Sequence, residues 1–83
     1  MYTTNLPDGV VIPDALVDYV EDDRLTEDTK SAIRAWVHTD TSAYLKNYWH
    51  RQIDTNIKLC ATYGLPECVR FFSYAREQMV ITW

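Results

Sequence analysis

Glycine is nearly missing from this chain: Gly9 and Gly64 stand far apart in 83 residues. A loop that cradles phosphate needs several glycines close together so that the backbone can approach the anion, so nucleotide sites of that kind are excluded. Soft metal ligands are as scarce. His38, His50, Cys60 and Cys68 make up the whole set, with eleven residues between the histidines and seven between the cysteines. Structural zinc sites use close pairs that let one turn offer two ligands at once, so neither zinc nor any other cofactor is expected. Long apolar runs are absent too. None approaches the roughly 18 residues that a membrane span requires, and residues 1–12 lack a basic start followed by an apolar stretch. A cytoplasmic location without membrane contact is expected. In such a reducing compartment Cys60 and Cys68 are most simply two free thiols, although they flank a short turn across which a disulfide could close.

Positive charge is in deficit, with 8 lysines and arginines against 12 acids and a net charge of −4. That balance disfavours phosphate binding and hence direct contact with nucleic acid. The deficit is also uneven. Residues 1–40 hold nine carboxylates against three bases, a net of −6, whereas residues 41–83 carry a net of +2.

What the chain does have is aromatic bulk and helical periodicity. A chain this short buries only roughly 60% of its unfolded surface and needs large side chains for a core; three tryptophans, six tyrosines and two phenylalanines supply them. Residues 1–12 show no helical period, and Pro7-Asp8-Gly9 reads as a turn. Pro13 suits a first helical position, so a helix is predicted over 13–22, with Leu16, Val17, Tyr19 and Val20 on one side and Asp14, Asp18, Glu21 and Asp22 on the other. Thr26 is placed to cap a second helix over 27–38, with Glu27 and Asp28 in its first turn, Ile33, Trp36 and Val37 facing the core, and Leu25 joining from outside. After the hydroxyl-rich break 39–42, a third helix over 42–63 carries Leu45, Trp49, Ile53, Ile57 and Cys60, widened by Tyr44, Tyr48, Leu59 and Tyr63. It reads as the central helix. Gly64 and Pro66 stop it and start a fourth over 66–79, presenting Cys68, Val69, Phe72, Ala75 and Met79. Residues 80–83 are β-prone and predicted extended, with the N-terminal arm as a candidate neighbour. The expectation is one all-α domain: a compact four-helix unit with short extended ends.

Chemistry is harder to find. Cys68 in the first turn of the fourth helix is the better nucleophile candidate of the two cysteines, because a helix N-terminus favours a thiolate, but an apolar core position is the preferred reading of it. No G-x-S-x-G context surrounds any serine, and residues 18–28 lack the D-x-D-x-D-G loop that calcium needs. No enzyme is expected. The carboxylates Asp14, Asp18, Glu21, Asp22, Asp23, Glu27 and Asp28 form either a solubilising face or a docking surface for a basic protein. Like charges so close repel, which a partner's lysines and arginines would relieve. Gln52 and Asn56 fall within the apolar stripe of the third helix. They either belong to an internal hydrogen-bond network or, with Tyr44 and Tyr48, form an alternative interface that fixes register, as in a homodimer. A helix-turn-helix reading would aim Lys46, Asn47, Arg51 and Lys58 at DNA, against the charge of the preceding helix.

In size, charge and helix content the chain resembles bacterial nuclease immunity proteins and phage-encoded inhibitors of host defence, among them anti-CRISPR proteins. It shares no motif with them. The resemblance implies a small acidic, non-catalytic inhibitor that occupies the basic surface of a nucleic-acid-handling protein, within the host cytoplasm if the source is viral. The alternatives are a DNA-binding transcriptional regulator using the third helix and a homo-oligomeric structural protein using that helix's apolar face.

Overall fold

The computed structural model describes residues 6–20, 25–39 and 42–83. Among them the chain is all-α. A 3₁₀ turn over Asp14–Leu16 runs into α1 (Val17–Val20), followed by α2 (Glu27–Val37), α3 (Ala43–Thr62) and α4 (Pro66–Thr82). The predicted first helix therefore opens as 3₁₀, closed by the Leu16 N–H donating to Pro13 O at 2.8 Å; its predicted end at 21–22 lies outside the described residues.

Each start and stop has a local cause. The Thr26 hydroxyl caps α2 by accepting from the Thr29 N–H at 3.2 Å, which satisfies an orphan donor of the first turn. Ser42 caps α3 in the same way, accepting from the Leu45 N–H at 3.4 Å. At the end of α3, Gly64 adopts φ +70°, the left-handed conformation that costs glycine nothing. There Leu65 N–H donates to Cys60 O at 2.9 Å and Gly64 N–H to Ala61 O at 3.2 Å, the paired bonds of a Schellman motif. Pro66 then occupies the first position of α4.

Two expectations are corrected here. Residues 80–82 continue α4 instead of forming an extended tail. Trp83 N–H donates to Met79 O at 2.7 Å, and the Trp83 indole N–H donates to Val37 O at 2.6 Å, so tertiary anchoring of the last turn overrides the β-propensity of Val80 and Ile81. The central helix is α4 instead of α3. It packs against both α3 and α2, burying Phe71, Phe72, Ala75 and Met79. The stripe of α3 is narrower than its sequence suggests: Ile53, Asn56 and Cys60 are buried, Trp49 and Ile57 are half-buried, and Leu45, Tyr44 and Tyr63 are exposed.

The core joins Leu16 and Val20, Ile33 and Val37 of α2, and Ile53 and Cys60 of α3 to the buried face of α4. Leu6, Val10, Ile12 and Leu25 pack against it from outside. The described part of the N-terminal arm lies against α3 at Asn56 and Leu59. Its turn is closed by Val10 N–H donating to Pro7 O at 3.3 Å, with Gly9 at φ +97°, where a Cβ would stand 3.3 Å from Leu59 Cδ1.

Candidate functional site

Of the carboxylates singled out from the sequence, Asp14, Asp18, Glu27 and Asp28 are all exposed. Glu21, Asp22 and Asp23 lie outside the described residues. Asp14 and Asp18 point away from the core because Leu16 and Val20, on the same short stretch, are buried beneath it. Glu27 and Asp28 occupy the first turn of α2, where the helix dipole favours negative charge.

Lys30 and Arg34 of α2 do not pair with these acids. The Arg34 guanidinium donates to the Tyr74 hydroxyl at 2.8 Å, and the Lys30 ammonium stands 5.9 Å from the centre of the Tyr74 ring. Both thus turn toward α4, tying α2 to it. Among the described residues the ion pairs are Glu67 with Arg70 and Asp54 with Arg76, all on α3 and α4. Asp14, Asp18, Glu27 and Asp28 make no ion pair among the described residues.

Of the alternative interface, Asn56 is removed. Asn56 is fully buried, and its amide is committed to the arm: Nδ2 donates to Val11 O at 2.6 Å while Oδ1 accepts from the Val11 N–H at 3.0 Å. The oddity of an amide in an apolar stripe is thereby resolved as an internal bond, made to backbone and not to Gln52. Asn56 is withdrawn from any surface. Gln52 and Tyr48 are half-buried and Tyr44 is 74% exposed.

A feature not anticipated is an aromatic chain where α2, α3 and α4 meet. Trp36 stands edge-on to Trp49 at 5.5 Å and tilted against Trp83 at 5.7 Å, while Tyr48 meets Trp49 at 5.1 Å and His50 meets Trp83 at 5.8 Å. All five rings are half-buried. The rings pack on one another, so the cluster braces the junction. The three tryptophans were visible in the sequence, but their convergence depends on the C-terminal turn of α4 folding back onto α2.

The thiols are not in a disulfide; Cys60 is buried and Cys68 half-buried. The Cys60 thiol is pushed up to about 11, by burial first and then by the charge and hydrogen bond of neighbouring Cys68. Cys60 therefore holds its proton at neutral pH. No group of three or more histidine, cysteine, aspartate or glutamate side chains comes together to hold a metal ion among the described residues. No described helix is long and apolar enough to cross a membrane.

On α3, Asn47, Arg51 and Lys58 share an exposed row, and Lys46 is half-buried beside it. Asp54 falls in the same row and pairs with Arg76 at 3.0 Å, which places a carboxylate within the face that a DNA backbone would meet. With this geometry in hand, comparison with protein-family models, with curated proteins and with solved structures finds no match.

Proposed function

We propose that this chain is a non-catalytic protein-binding module whose acidic face, Asp14, Asp18, Glu27 and Asp28, docks on a lysine- and arginine-rich surface of a partner. A nucleic-acid-handling protein is the kind of partner whose surface has that charge, since spaced carboxylates can occupy sites that otherwise receive phosphates. The protein would then act as an inhibitor that blocks access to nucleic acid.

One observation carries this reading. The bases of α2 are engaged with Tyr74, and the carboxylates next to them in sequence are exposed and unpaired among the described residues. Exposed charges without a paired base add little to the stability of the free fold and gain energy once a cationic surface approaches. The test is affinity capture with immobilised protein, wild type against an Asp14→Lys/Asp18→Lys variant. A partner held by the wild type at low salt and lost by the variant supports the reading, and equal retention by both refutes it.

Homo-oligomerisation is the second reading, favoured by the exposure of Val80 (66%) and Ile81 (70%) beside the half-buried Ile57 in a groove between α3 and α4. It differs from the sequence-based version, because most of the apolar face of α3 is taken up by α4 and the arm. A mass that rises with protein concentration, and that Ile81→Glu returns to the monomer, distinguishes it.

A further inference from the structure

We propose that Lys30 and Arg34 of α2, together with the hydroxyl of Tyr74 on α4, form a binding site for a phosphate group, carried by free phosphate or by a small phosphate monoester. The inference stands apart from the reading of the acidic face.

Two bases one turn apart on α2 converge on one neutral ring. The Arg34 guanidinium donates from Nη1 to the Tyr74 hydroxyl at 2.8 Å, and the Lys30 ammonium stands 5.9 Å from the centre of the same ring. All three residues are half-buried. Like charges at this spacing repel, and a tyrosine satisfies a donor without compensating a charge. Neither base makes an ion pair among the described residues. Glu27, one turn before Lys30, is exposed and makes no ion pair with it. Arg70, one turn before Tyr74 on α4, is paired with Glu67 at 3.2 Å. Lys30 and Arg34 therefore form a local positive spot on a chain whose net charge of −4 disfavours anions in general.

The donor set selects the ligand. Because the Tyr74 oxygen accepts from Arg34, its own O–H remains available to donate outward. The guanidinium offers further N–H groups in a planar fork, and the lysine adds a point charge on a flexible stem. A carboxylate has two oxygens, which the Arg34 fork alone would occupy. A phosphate group has three or four, so one can face the guanidinium, another the tyrosine and another the ammonium through charge-assisted bonds. Phosphate is the class that uses all three side chains.

The probes are sodium phosphate and glycerol phosphate, each titrated into isotopically labelled protein at neutral pH while sodium chloride holds the ionic strength constant. The Arg34 Nε–H and Tyr74 ring resonances should shift together and saturate. Arg34→Gln should weaken binding about tenfold or more. Tyr74→Phe, which keeps the ring and removes the hydroxyl, should weaken it about fivefold. Lys30→Gln should weaken it through lost charge. Saturation by either ligand supports the proposal, and comparison of the two tells whether the site takes the free ion, the ester or both. Shifts that rise without saturating, that spread equally over the other lysines and arginines, or that persist unchanged in folded Arg34→Gln overturn it. Should Arg34→Gln fail to fold, unchanged binding by both Tyr74→Phe and Lys30→Gln overturns it instead.

Discussion

The side chain of Asn56 holds both backbone polar groups of Val11, donating to its carbonyl at 2.6 Å and accepting from its N–H at 3.0 Å across 45 residues of chain. One amide thus imitates the edge of a β-strand and straps an arm without regular structure onto α3. A buried polar group left without its partner costs about 1–3 kcal/mol. Asn56→Leu should therefore lower stability by roughly that amount and should speed proteolysis within the arm ahead of the helices. Asn56→Asp should do worse, because an ionised carboxylate cannot donate to the Val11 carbonyl. Chemical denaturation with limited proteolysis checks both, and an unchanged denaturation midpoint in either variant contradicts the strap.

Trp83 anchors the other end of the chain through its indole N–H on Val37 O. Trp83→Phe keeps a ring against Trp36 but removes that donor, and should cost about 1 kcal/mol. Trp83→Ala should in addition fray the last turn of α4, seen as lost helical signal. Trp49→Ala should cost about 2 kcal/mol, less than the roughly 3–5 kcal/mol of a fully buried indole, because Trp49 is half-buried. Thermal melts of the three variants rank them, and equal melting temperatures would deny the junction its bracing role.

These two anchors mark where the sequence stopped being legible. Capping and stop signals are local, so Thr26, Ser42, Gly64 and Pro66 could be read in place. The pairing of Asn56 with Val11, and of Trp83 with Val37, spans more than forty residues, and no periodicity encodes it. The extended C-terminus was misjudged for that reason: Val80 and Ile81 prefer strands on their own, and only the docking of Trp83 makes a helix the better state. The centre of the fold was misjudged because helix length and aromatic count favoured α3, while burial on two sides belongs to α4 and its small Ala75. Of the candidate site, exposure of Asp14 and Asp18 followed from the helical wheel, but the diversion of Lys30 and Arg34 to Tyr74 did not.

The Cys60 thiol gives a pH dependence of definite sign. Its value rises from the ordinary 9.0 to about 11 in the fold, so folding favours the neutral thiol. The resulting stability is complete below pH 9 and is lost as pH rises toward 11, since the unfolded chain ionises first. The loss is on the order of 2 kcal/mol. Cys60→Ala lacks this ionisation, so the stability gap between wild type and variant should narrow across that window, measured by urea denaturation under reducing conditions. A gap that stays constant contradicts the burial of Cys60.

Charge reversal at the acidic face tests the proposed function kinetically. Asp14 and Asp18 are exposed and make no ion pair among the described residues, so Asp14→Lys/Asp18→Lys should change fold stability by about 1 kcal/mol or less. Its effect on a basic partner should be far larger. Long-range attraction speeds encounter, and its removal should slow association about tenfold or more at low ionic strength. Dissociation should quicken as well, where the same carboxylates touch lysine or arginine in the complex. Added salt should weaken the wild-type complex by screening, whereas the reversed variant should respond less or in the opposite sense. Association and dissociation rates at two ionic strengths, with melts of both proteins as controls, decide the matter. Identical rates in the two proteins would exclude the acidic face as the contact and direct attention to Tyr44 and Leu45, exposed at the start of α3, and to the groove of Ile57, Val80 and Ile81.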